Sequence, residues 1–325
     1  MVFIEFIALL AVIVFAAYLL SRGAETLAAK WGFNIVGSLV LALLTTLPEY
    51  AFVYWASIKG HYQMAIGSAI GSCTLLITLG YGLVIVLAVS KLSKHPVSSI
   101  KLSKATRVDA VYLLVTAVLA FIFIAHDNKL SFVEGIILTA VLVGYVYHVF
   151  KSGTGENECN GHPVTRKQMI RSGIELLVGG ALVFICSEPF VDSMIHLAEK
   201  MQVSPIVIAV VLGPLASEMP EKLTAYLVVL KDGRNAELAV CNFLGSKVNH
   251  NSLLLAVMPF VAHTKGHDAV TNLMSPMLIL MSAITVVVSA LLAKGELHRW
   301  QGYSLIIAYF GAMVMAVYTQ PTGAF

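Results

Sequence analysis

Long apolar windows dominate the chain, and short polar stretches separate them. A helix needs about 20 predominantly apolar residues to cross the roughly 30 Å hydrocarbon core of a bilayer. Windows of about this length predict ten transmembrane helices, over residues 2–21, 34–58, 62–90, 106–126, 131–150, 170–190, 204–230, 235–262, 270–293 and 300–319. The pattern therefore predicts an all-α integral membrane protein.

The longest polar interruption runs from Lys151 to Lys167 and divides these windows into five and five. We interpret residues 1–150 and 170–325 as two five-helix halves, joined by a cytoplasmic loop at 151–169. Because each half has an odd number of helices, the second half must enter the membrane from the opposite side. The halves are then inverted repeats, an arrangement that in transporters places the ion site at the repeat interface, on broken helices.

The positions of Lys and Arg indicate the orientation of the chain. Of the 21 Lys and Arg residues, fifteen fall in one set of alternating loops and four in the other set. Cytoplasmic loops carry an excess of Lys and Arg, so this bias predicts that both termini lie on the outer side of the cell membrane. The remaining two, Lys222 and Lys247, fall inside predicted helices, and Lys222 is expected to snorkel or to pair locally.

Composition excludes several other classes of protein. The 325 residues are 58% hydrophobic and 12% charged, whereas a soluble domain carries about 25% charged residues. The net charge of +3 is too small, and the basic residues too scattered, for a nucleic-acid-binding protein. The four cysteines show no paired spacing, so neither a disulfide nor a cysteine metal site is expected. The expected partners are the lipid bilayer and transported cations, with no cofactor and a monomer as the simplest state.

A duplicated proline-glutamate element is the main chemical signal. The first copy reads Thr45-Thr46-Leu47-Pro48-Glu49, and the second reads Ser217-Glu218-Met219-Pro220-Glu221. A carboxylate at bilayer depth costs about 2.5–3.5 kcal/mol or more, and it marks a functional site by default. Proline removes a backbone hydrogen bond and tends to break the helix. Two such copies predict an ion site between the halves.

The residue types around each proline suit a hard cation. Thr45 and Glu49 are four residues apart, so they share a face of a helix. Proline frees backbone carbonyls in the preceding turn, and Pro214 is expected to add a further break in the second copy. Carboxylate, hydroxyl and carbonyl oxygens are the ligands that Ca²⁺ and Na⁺ require. Ser217, Glu218 and Glu221 form the equivalent set in the second copy.

A Gly-Ser pair follows each copy, at Gly71-Ser72 and at Gly245-Ser246. Small residues at helical spacing let two backbones approach closely, so helix packing is the favoured interpretation of the glycines. The serines follow their respective glutamates at similar distances, and we interpret Ser72 and Ser246 as site residues.

Together, these motifs resemble the α-repeats of the calcium/cation antiporter superfamily, in particular its sodium/calcium exchanger branch. The two α-repeats correspond to residues 34–90 and 204–262. The resemblance implies exchange of Ca²⁺ for Na⁺ by alternating access, on a scaffold of ten helices. Residue by residue, it also implies a ligand set of Thr45, Thr46, Glu49, Ser72, Ser217, Glu221 and Ser246.

The second repeat departs from the family pattern. Glu218 stands in place of a hydroxyl, Lys247 in place of an asparagine, and His250 in place of an acidic or amide residue. In the first repeat Leu76 replaces the corresponding ligand. We list Lys247, His250 and Asn249 as residues that modulate coupling or charge, and Glu218 as a further candidate ligand.

The formal charges of the candidate residues limit which cation the site can bind. Glu49, Glu218 and Glu221 contribute −3 if all are ionised, and Lys247 brings the total to −2, which suits one divalent ion. A Glu218–Lys247 ion pair is expected at low dielectric. Lys247 then acts as a tethered cation in place of a sodium ion, and His250, which can titrate near neutral pH, favours coupling to protons.

Three alternatives stay open at this point. One is a proton-coupled exchanger of Ca²⁺ or another divalent cation, and another is a transport-inactive homologue that Lys247 blocks. The third is an intramembrane enzyme, which is disfavoured because the sequence has no His-Glu-x-x-His motif and no nucleophile elbow.

Overall fold

The computed structural model describes residues 2–31, 43–153 and 164–318. Its helices are α1 (Val2–Trp31), α2 (Leu47–Ile58), α3 (Tyr62–Leu75), α4 (Tyr81–Val89), α5 (Lys104–Asp127), α6 (Phe132–Gly153), α7 (Arg166–Met201), α8 (Pro205–Lys231), α9 (Ala236–Asn249), α10 (Leu255–Thr264), α11 (Pro276–Ala293) and α12 (Arg299–Tyr318). Two π-helical turns, π1 (Leu76–Gly80) and π2 (His250–Leu254), connect α3 to α4 and α9 to α10. A 3₁₀ turn, Gly233–Asn235, joins α8 to α9.

Side-chain caps begin several of these helices where the sequence changes from polar to apolar. Ser103 accepts a hydrogen bond from the backbone of Thr106 at the start of α5. Thr165 forms a capping box with Gln168 at the start of α7. Such caps satisfy backbone N–H groups that the first helical turn leaves unpaired.

In the described part of the chain, six helical runs are long and apolar enough to cross a membrane. They are Val2–Leu27, Tyr62–Val89, Lys104–Asp127, Phe132–Lys151, Arg166–Met201 and Pro276–Ala293. Each overlaps one of the ten predicted windows. The other four windows also contain helical residues, although the structure describes the window 34–58 only from residue 43 onward. The boundaries were most in error for two helices: α1 continues past residue 21 to Trp31, and α7 continues through Pro189 to Met201.

In the described residues, four short strands form hydrogen-bonded pairs between the two predicted halves. The strands are β1 (Ile100–Lys101), β2 (Lys129–Ser131), β3 (Ala269–Thr271) and β4 (Glu296–Leu297). β1 pairs with β4, and β2 pairs with β3, both antiparallel. The strand before α5 therefore pairs with the strand after α11, and the strand after α5 pairs with the strand before α11. Helices α5 and α11, which contact each other, accordingly run in opposite directions.

The predicted helix breaks are found in only one copy of the proline-glutamate element. A turn at Thr46 separates a short helical stretch at 43–45 from α2, directly before Pro48. In contrast, α8 is continuous through Pro214 and Pro220, so the predicted break there was wrong. In both halves, the helix that follows the proline-glutamate helix is interrupted by a π turn. In the first half this turn is π1, after α3, and in the second half it is π2, after α9. Each π turn begins four residues after the serine of a Gly-Ser pair.

Close helix contact explains the small residues of α3. A Cβ atom added at Gly71 would lie 2.8 Å from the Cα atom of Val210 in α8. One added at Gly67 would lie 2.7 Å from the Ile206 side chain. The backbones of α3 and α8 can approach this closely only because the glycines have no side chain. The favoured packing interpretation of these glycines therefore agrees with the structure.

Buried apolar side chains form two large clusters. One joins α1, α2, the start of α3, α7 and α10, and the other joins α4, α5, α6, the end of α8 and α9. Helices α3 and α8 pass from one cluster to the other, and α9 ends next to this boundary, where the polar residues of the two motifs lie. The fold thus positions a polar zone between two apolar layers.

Candidate ion-binding site

Glu49 lies in the first turn of α2, three residues after the turn at Thr46. Its side chain is only 2% exposed, and Thr45 and Thr46 beside it are also buried. Unpaired backbone N–H groups give a helix N-terminus a partial positive charge, which favours a carboxylate at this position. Among the described residues Glu49 makes no ion pair, and its Oε2 atom accepts no hydrogen bond. The sequence element Thr-Thr-Leu-Pro-Glu therefore produces a buried carboxylate with unused acceptor capacity.

Glu218 on α8 is held between two ammonium groups. Lys247 of α9 bonds to its Oε1 atom, so the predicted Glu218–Lys247 pair is present. Lys222, one helical turn along α8, lies with its Nζ atom 2.9 Å from Oε2. All three side chains are at most 5% exposed. Lys222 thus pairs locally, and it adds a positive charge that the predicted count of −2 omitted.

His250 completes this cluster from the first residue of π2. Its Nδ1 atom lies 2.7 Å from the carbonyl oxygen of Ser246. Because a carbonyl only accepts, Nδ1 carries a proton and donates it. The Nε2 atom lies 3.2 Å from the Lys247 Nζ atom, so Nε2 accepts from the ammonium group. The ring thereby orients Lys247 toward Glu218.

Glu49, Glu218 and His250 converge although they come from α2, α8 and π2. One ligand atom of each lies within 4.8 Å of those of the other two, and all three residues are buried. Carboxylate oxygens from both proline-glutamate elements are therefore close enough to share one cation. Glu49 offers oxygen ligands to a hard cation, whereas Glu218 is already neutralised by its lysines.

A direct hydrogen bond also joins the two motifs. The hydroxyl of Tyr50 donates to Oδ1 of Asn249 over 2.5 Å, and the Nδ2 atom of Asn249 has no partner among the described residues. The sequence interpretation included Asn249 but missed Tyr50. Its only signal was its position directly after Glu49.

The serine residues that were predicted as cation ligands lie in different environments. Ser72 is fully buried on α3, and in the described structure its Oγ atom lacks a hydrogen-bond partner. Ser217 lines a narrow cavity with Glu49 and Ser68, and its own hydroxyl donates to the Gly213 carbonyl at 3.3 Å. Ser246 is buried one turn before His250. The Glu221 side chain lies outside the described residues, although its backbone belongs to α8.

The C-terminal ends of α2 and α8 are each held by the opposite half. Lys59, at the end of α2, contacts Glu188 and Asp192 of α7 at 3.2 and 3.0 Å, and its hydrogen bond to Asp192 raises the pKa of Lys59. The Lys265 ammonium donates to the last carbonyls of α2.

At the end of α8, the corresponding contacts come from the segment after α4. Ser93 donates to the Val229 carbonyl at 2.9 Å, and the Lys94 backbone donates to Leu230 at 3.0 Å. The loop that follows carries Asp232, and hydrogen bonds from Arg234 lower the pKa of that carboxyl group to about 2.

A further buried carboxylate, Asp109, was missed by the sequence interpretation. Asp109 of α5 is 8% exposed and accepts a hydrogen bond from Tyr145 at 3.2 Å, with the Cys241 thiol at 3.7 Å. Its sequence signal was a lone aspartate near the start of an apolar window. Its oxygens are already partnered, so it stands apart from the candidate ion site.

Comparison with known families gives one match over most of the chain. A family model described as "Sodium/calcium exchanger protein" matches residues 1–151 and 173–318. A membrane protein of Methanocaldococcus jannaschii is 26% identical over 294 residues, covering 90% of each chain. The sodium/calcium exchanger MaX1 of Methanosarcina acetivorans is 23% identical, covering 91% of this chain and 93% of that protein.

Solved structures share the fold. The H⁺/Ca²⁺ exchanger CAX aligns with a TM-score of 0.80 at 19% identity, over 98% of this chain and 86% of the other. The sodium-calcium exchanger NCX_Mj aligns with a TM-score of 0.65 at 25% identity, over 97% of this chain and 99% of the other. The helical architecture is thus that of membrane exchangers.

Proposed function

The chain belongs to the sodium/calcium exchanger protein family, within the calcium/cation antiporter superfamily, and from this premise we propose that it is a secondary active antiporter that transports Ca²⁺. The observation that carries the proposal is the convergence of Glu49 and Glu218, from the two proline-glutamate elements, within 4.8 Å inside an apolar interior. Buried carboxylates of this kind mark ion pathways. The family consists of exchangers, which argues against the enzyme alternative.

We further infer that the scaffold is a ten-helix inverted repeat, with halves at 1–150 and 170–325 joined by a cytoplasmic loop at 151–169. Three observations support this inference. Helices α5 and α11 hold equivalent positions in the two halves and run in opposite directions. The strands exchange partners reciprocally between the halves, and the π turns begin at matching positions. Termini on the outer side remain the expectation from the Lys and Arg bias.

The proposed cation ligands come from both repeats. Glu49, Thr45, Thr46 and Ser72 serve in the first repeat, and Ser217, Glu218, Glu221 and Ser246 in the second. The unpartnered Glu49 Oε2 and Ser72 Oγ atoms support the first set. Alternating access then exposes these oxygens to one side of the membrane and next to the other.

Two coupling ions are candidates. Sodium is the ion in the family's description, and the sequence interpretation also named it first. A proton is the second candidate, and the pair of ammonium groups on Glu218 favours it. Those groups neutralise a carboxylate that would otherwise balance the charge of a bound sodium ion.

Reconstitution into liposomes tests the function. We expect radiolabelled Ca²⁺ to enter vesicles preloaded with unlabelled Ca²⁺, an exchange that requires no coupling ion. In a second experiment, an outward gradient of sodium or of protons should drive Ca²⁺ into vesicles that contain no Ca²⁺. Glu49→Gln is expected to abolish uptake, whereas Glu188→Gln, at an outer ion pair, should retain it. No uptake in any condition would contradict the proposal. Ca²⁺ binding that is seen only after Lys247→Ala would instead identify a blocked, transport-inactive homologue.

A further inference from the structure

The start of α12 lines an open groove that the proposed ion site does not use. Its walls are formed by Ser98, from the segment between α4 and β1, and by His298, Arg299, Trp300 and Tyr303. The groove encloses about 640 Å³, within the range of about 300–1,000 Å³ that small-molecule sites occupy. All five lining residues are exposed, so a ligand can reach them without any movement of the helices.

Close packing fixes the backbone at this end of α12. The Oε1 atom of the buried Gln301 accepts a hydrogen bond from the backbone N–H of His298 at 2.6 Å. A Cβ atom added at Gly302 would lie 3.0 Å from the Ile85 side chain in α4, so the two helices are in direct contact here. The backbone that carries Arg299 is therefore held in place against α4.

Arg299 holds its guanidinium group in a fixed orientation at the groove. Its Nε and Nη2 atoms donate to the hydroxyl of Tyr303 at 3.2 and 2.9 Å, and its guanidinium carbon lies 5.4 Å from the centre of the Tyr303 ring. Within the described ranges, these hydrogen bonds go to a hydroxyl and none goes to a carboxylate. A guanidinium group has five N–H donors, so three remain for a ligand. Its planar fork matches the paired oxygens of a phosphate group.

The other charged residues around the groove also favour an anion. Glu296 accepts a hydrogen bond from Ser99 at 2.8 Å, and its Oε2 atom lies 4.0 Å from Nε2 of His298. Arg107 donates from its Nε atom to the last backbone carbonyl of α11 at 2.9 Å, and Lys294 follows that carbonyl directly in the sequence. Together with Arg299, these basic side chains outnumber the carboxylate of Glu296.

An exposed apolar stripe leads away from the groove along α12. Tyr303, Ile307, Phe310 and Val314 recur on one face of the helix and are 43% to 71% exposed. Trp300, at the groove, is 64% exposed, and tryptophan and tyrosine are enriched where a transmembrane helix meets the lipid headgroups. The groove thus combines a place for a phosphate with an apolar surface for acyl chains. A free phosphate ion would use only the first of these.

We propose that this groove binds an anionic phospholipid, with Arg299 as the ligand of its phosphate. Trp300 and Tyr303 contact the glycerol region, and the stripe on α12 contacts the acyl chains. Basic pockets beside transmembrane helices bind anionic headgroups in this way. The site is separate from the candidate ion site, and its test does not depend on which ion the protein transports.

Quenching of Trp300 fluorescence by brominated lipids tests the proposal. Trp31→Phe and Trp55→Phe leave Trp300 as the one tryptophan of the chain. This protein is reconstituted into mixed vesicles of phosphatidylcholine and phosphatidylglycerol, in which one of the two lipids is brominated in its acyl chains. We expect brominated phosphatidylglycerol to quench Trp300 at a mole fraction about fivefold lower than brominated phosphatidylcholine, the factor that about 1 kcal/mol per basic residue corresponds to.

Three variants in the same background separate a specific site from diffuse attraction. Arg299→Gln should bring the two lipids to equal quenching. Arg299→Lys keeps the positive charge but loses the planar fork, so it should lose most of the preference. Full retention of the preference by either variant overturns the proposal. Arg166→Gln, which changes an exposed arginine at the start of α7, is the matched control and should keep the fivefold preference.

Two further measurements complete the test. Inorganic phosphate should not relieve quenching by brominated phosphatidylglycerol, and relief would identify a soluble anion as the ligand, against the proposal. Because the tryptophan replacements can fail to fold, native mass spectrometry of the wild-type protein provides a second readout. Wild type should retain one more phosphatidylglycerol molecule than Arg299→Gln. Equal retention, or equal quenching of Trp300 by the two lipids before Arg299 is changed, overturns the proposal.

Discussion

The two proline-glutamate elements are similar in sequence, but the buried carboxylates Glu49 and Glu218, which stand at different positions of the motif, have opposite electrostatic surroundings. In the first, Glu49 follows a helix break and has no ion pair among the described residues. In the second, Glu218 sits in a continuous helix between Lys222 and Lys247. A duplicated motif therefore need not produce two equal half-sites. The contrast arises partly inside the motif, because Glu218 stands where the first copy has Thr46, and partly outside it, because Lys222 and Lys247 supply the counter-ions.

Replacing Glu49 or Glu218 by glutamine tests this difference in electrostatic surroundings, and we expect it to have the largest effect on stability. Glu218→Gln removes the carboxylate that contacts both buried ammonium groups, and breaking a buried pair in this way costs about 3–5 kcal/mol. Glu49→Gln is the matched control, since it removes a buried charge that has no ion pair among the described residues, and it should leave stability unchanged or raised. The unfolding midpoint in detergent, measured without Ca²⁺, reports both effects.

A double variant checks the cause of that loss. Adding Lys247→Met to Glu218→Gln removes one of the two charges that Glu218 had contacted, so part of the lost stability should return. Equal destabilisation by Glu49→Gln and Glu218→Gln would show that the two copies are electrostatically alike, against the structure.

Filling the space between α3 and α8 tests the packing of the two repeats against each other. Gly71→Ala places a methyl group 2.8 Å from the Cα atom of Val210. Overpacking of this kind typically costs about 1–3 kcal/mol, and the same detergent unfolding measurement detects it. Gly144→Ala in α6 is the control, because nothing lies within 4 Å of the added atom. Equal midpoints for the two variants would contradict the close approach.

Removing the hydrogen bond between the motifs should have the smallest effect. Tyr50→Phe deletes the donor to Asn249, and such a bond contributes about 0.5–1.5 kcal/mol. Tyr18→Phe, at an exposed position on α1, is the control and should leave the midpoint unchanged. A Tyr50→Phe midpoint as high as that of the control would mean that this bond does not join the copies.

Much of the helical framework was predictable because membrane-spanning helices need long apolar windows, a property that is local in sequence. The Glu218–Lys247 pair was predictable because two opposite charges stood in one apolar region. The Lys222 contact also had a signal, since Glu218 and Lys222 are four residues apart and share a helix face. That spacing was available but was not used in the charge count.

Other features depend on tertiary contacts that no local pattern contains. The bond from Tyr50 to Asn249 joins residues from different halves of the chain. The continuity of α8 through Pro214 and Pro220 contradicts the simple expectation that proline breaks a helix, because neighbouring packing can override that tendency. The pairing of β1 with β4 depends on how the halves meet. These features could be found only from the structure.

The exchanged strands have a consequence for how the protein is made. β1 is translated before α5, but its partner β4 is translated only after α11. The loop before α5 thus stays without its strand partner until α5 to α11 have been made. Pairing at this face depends on the segment after α11, so a chain truncated after α10 would leave the edge of β1 open to another molecule.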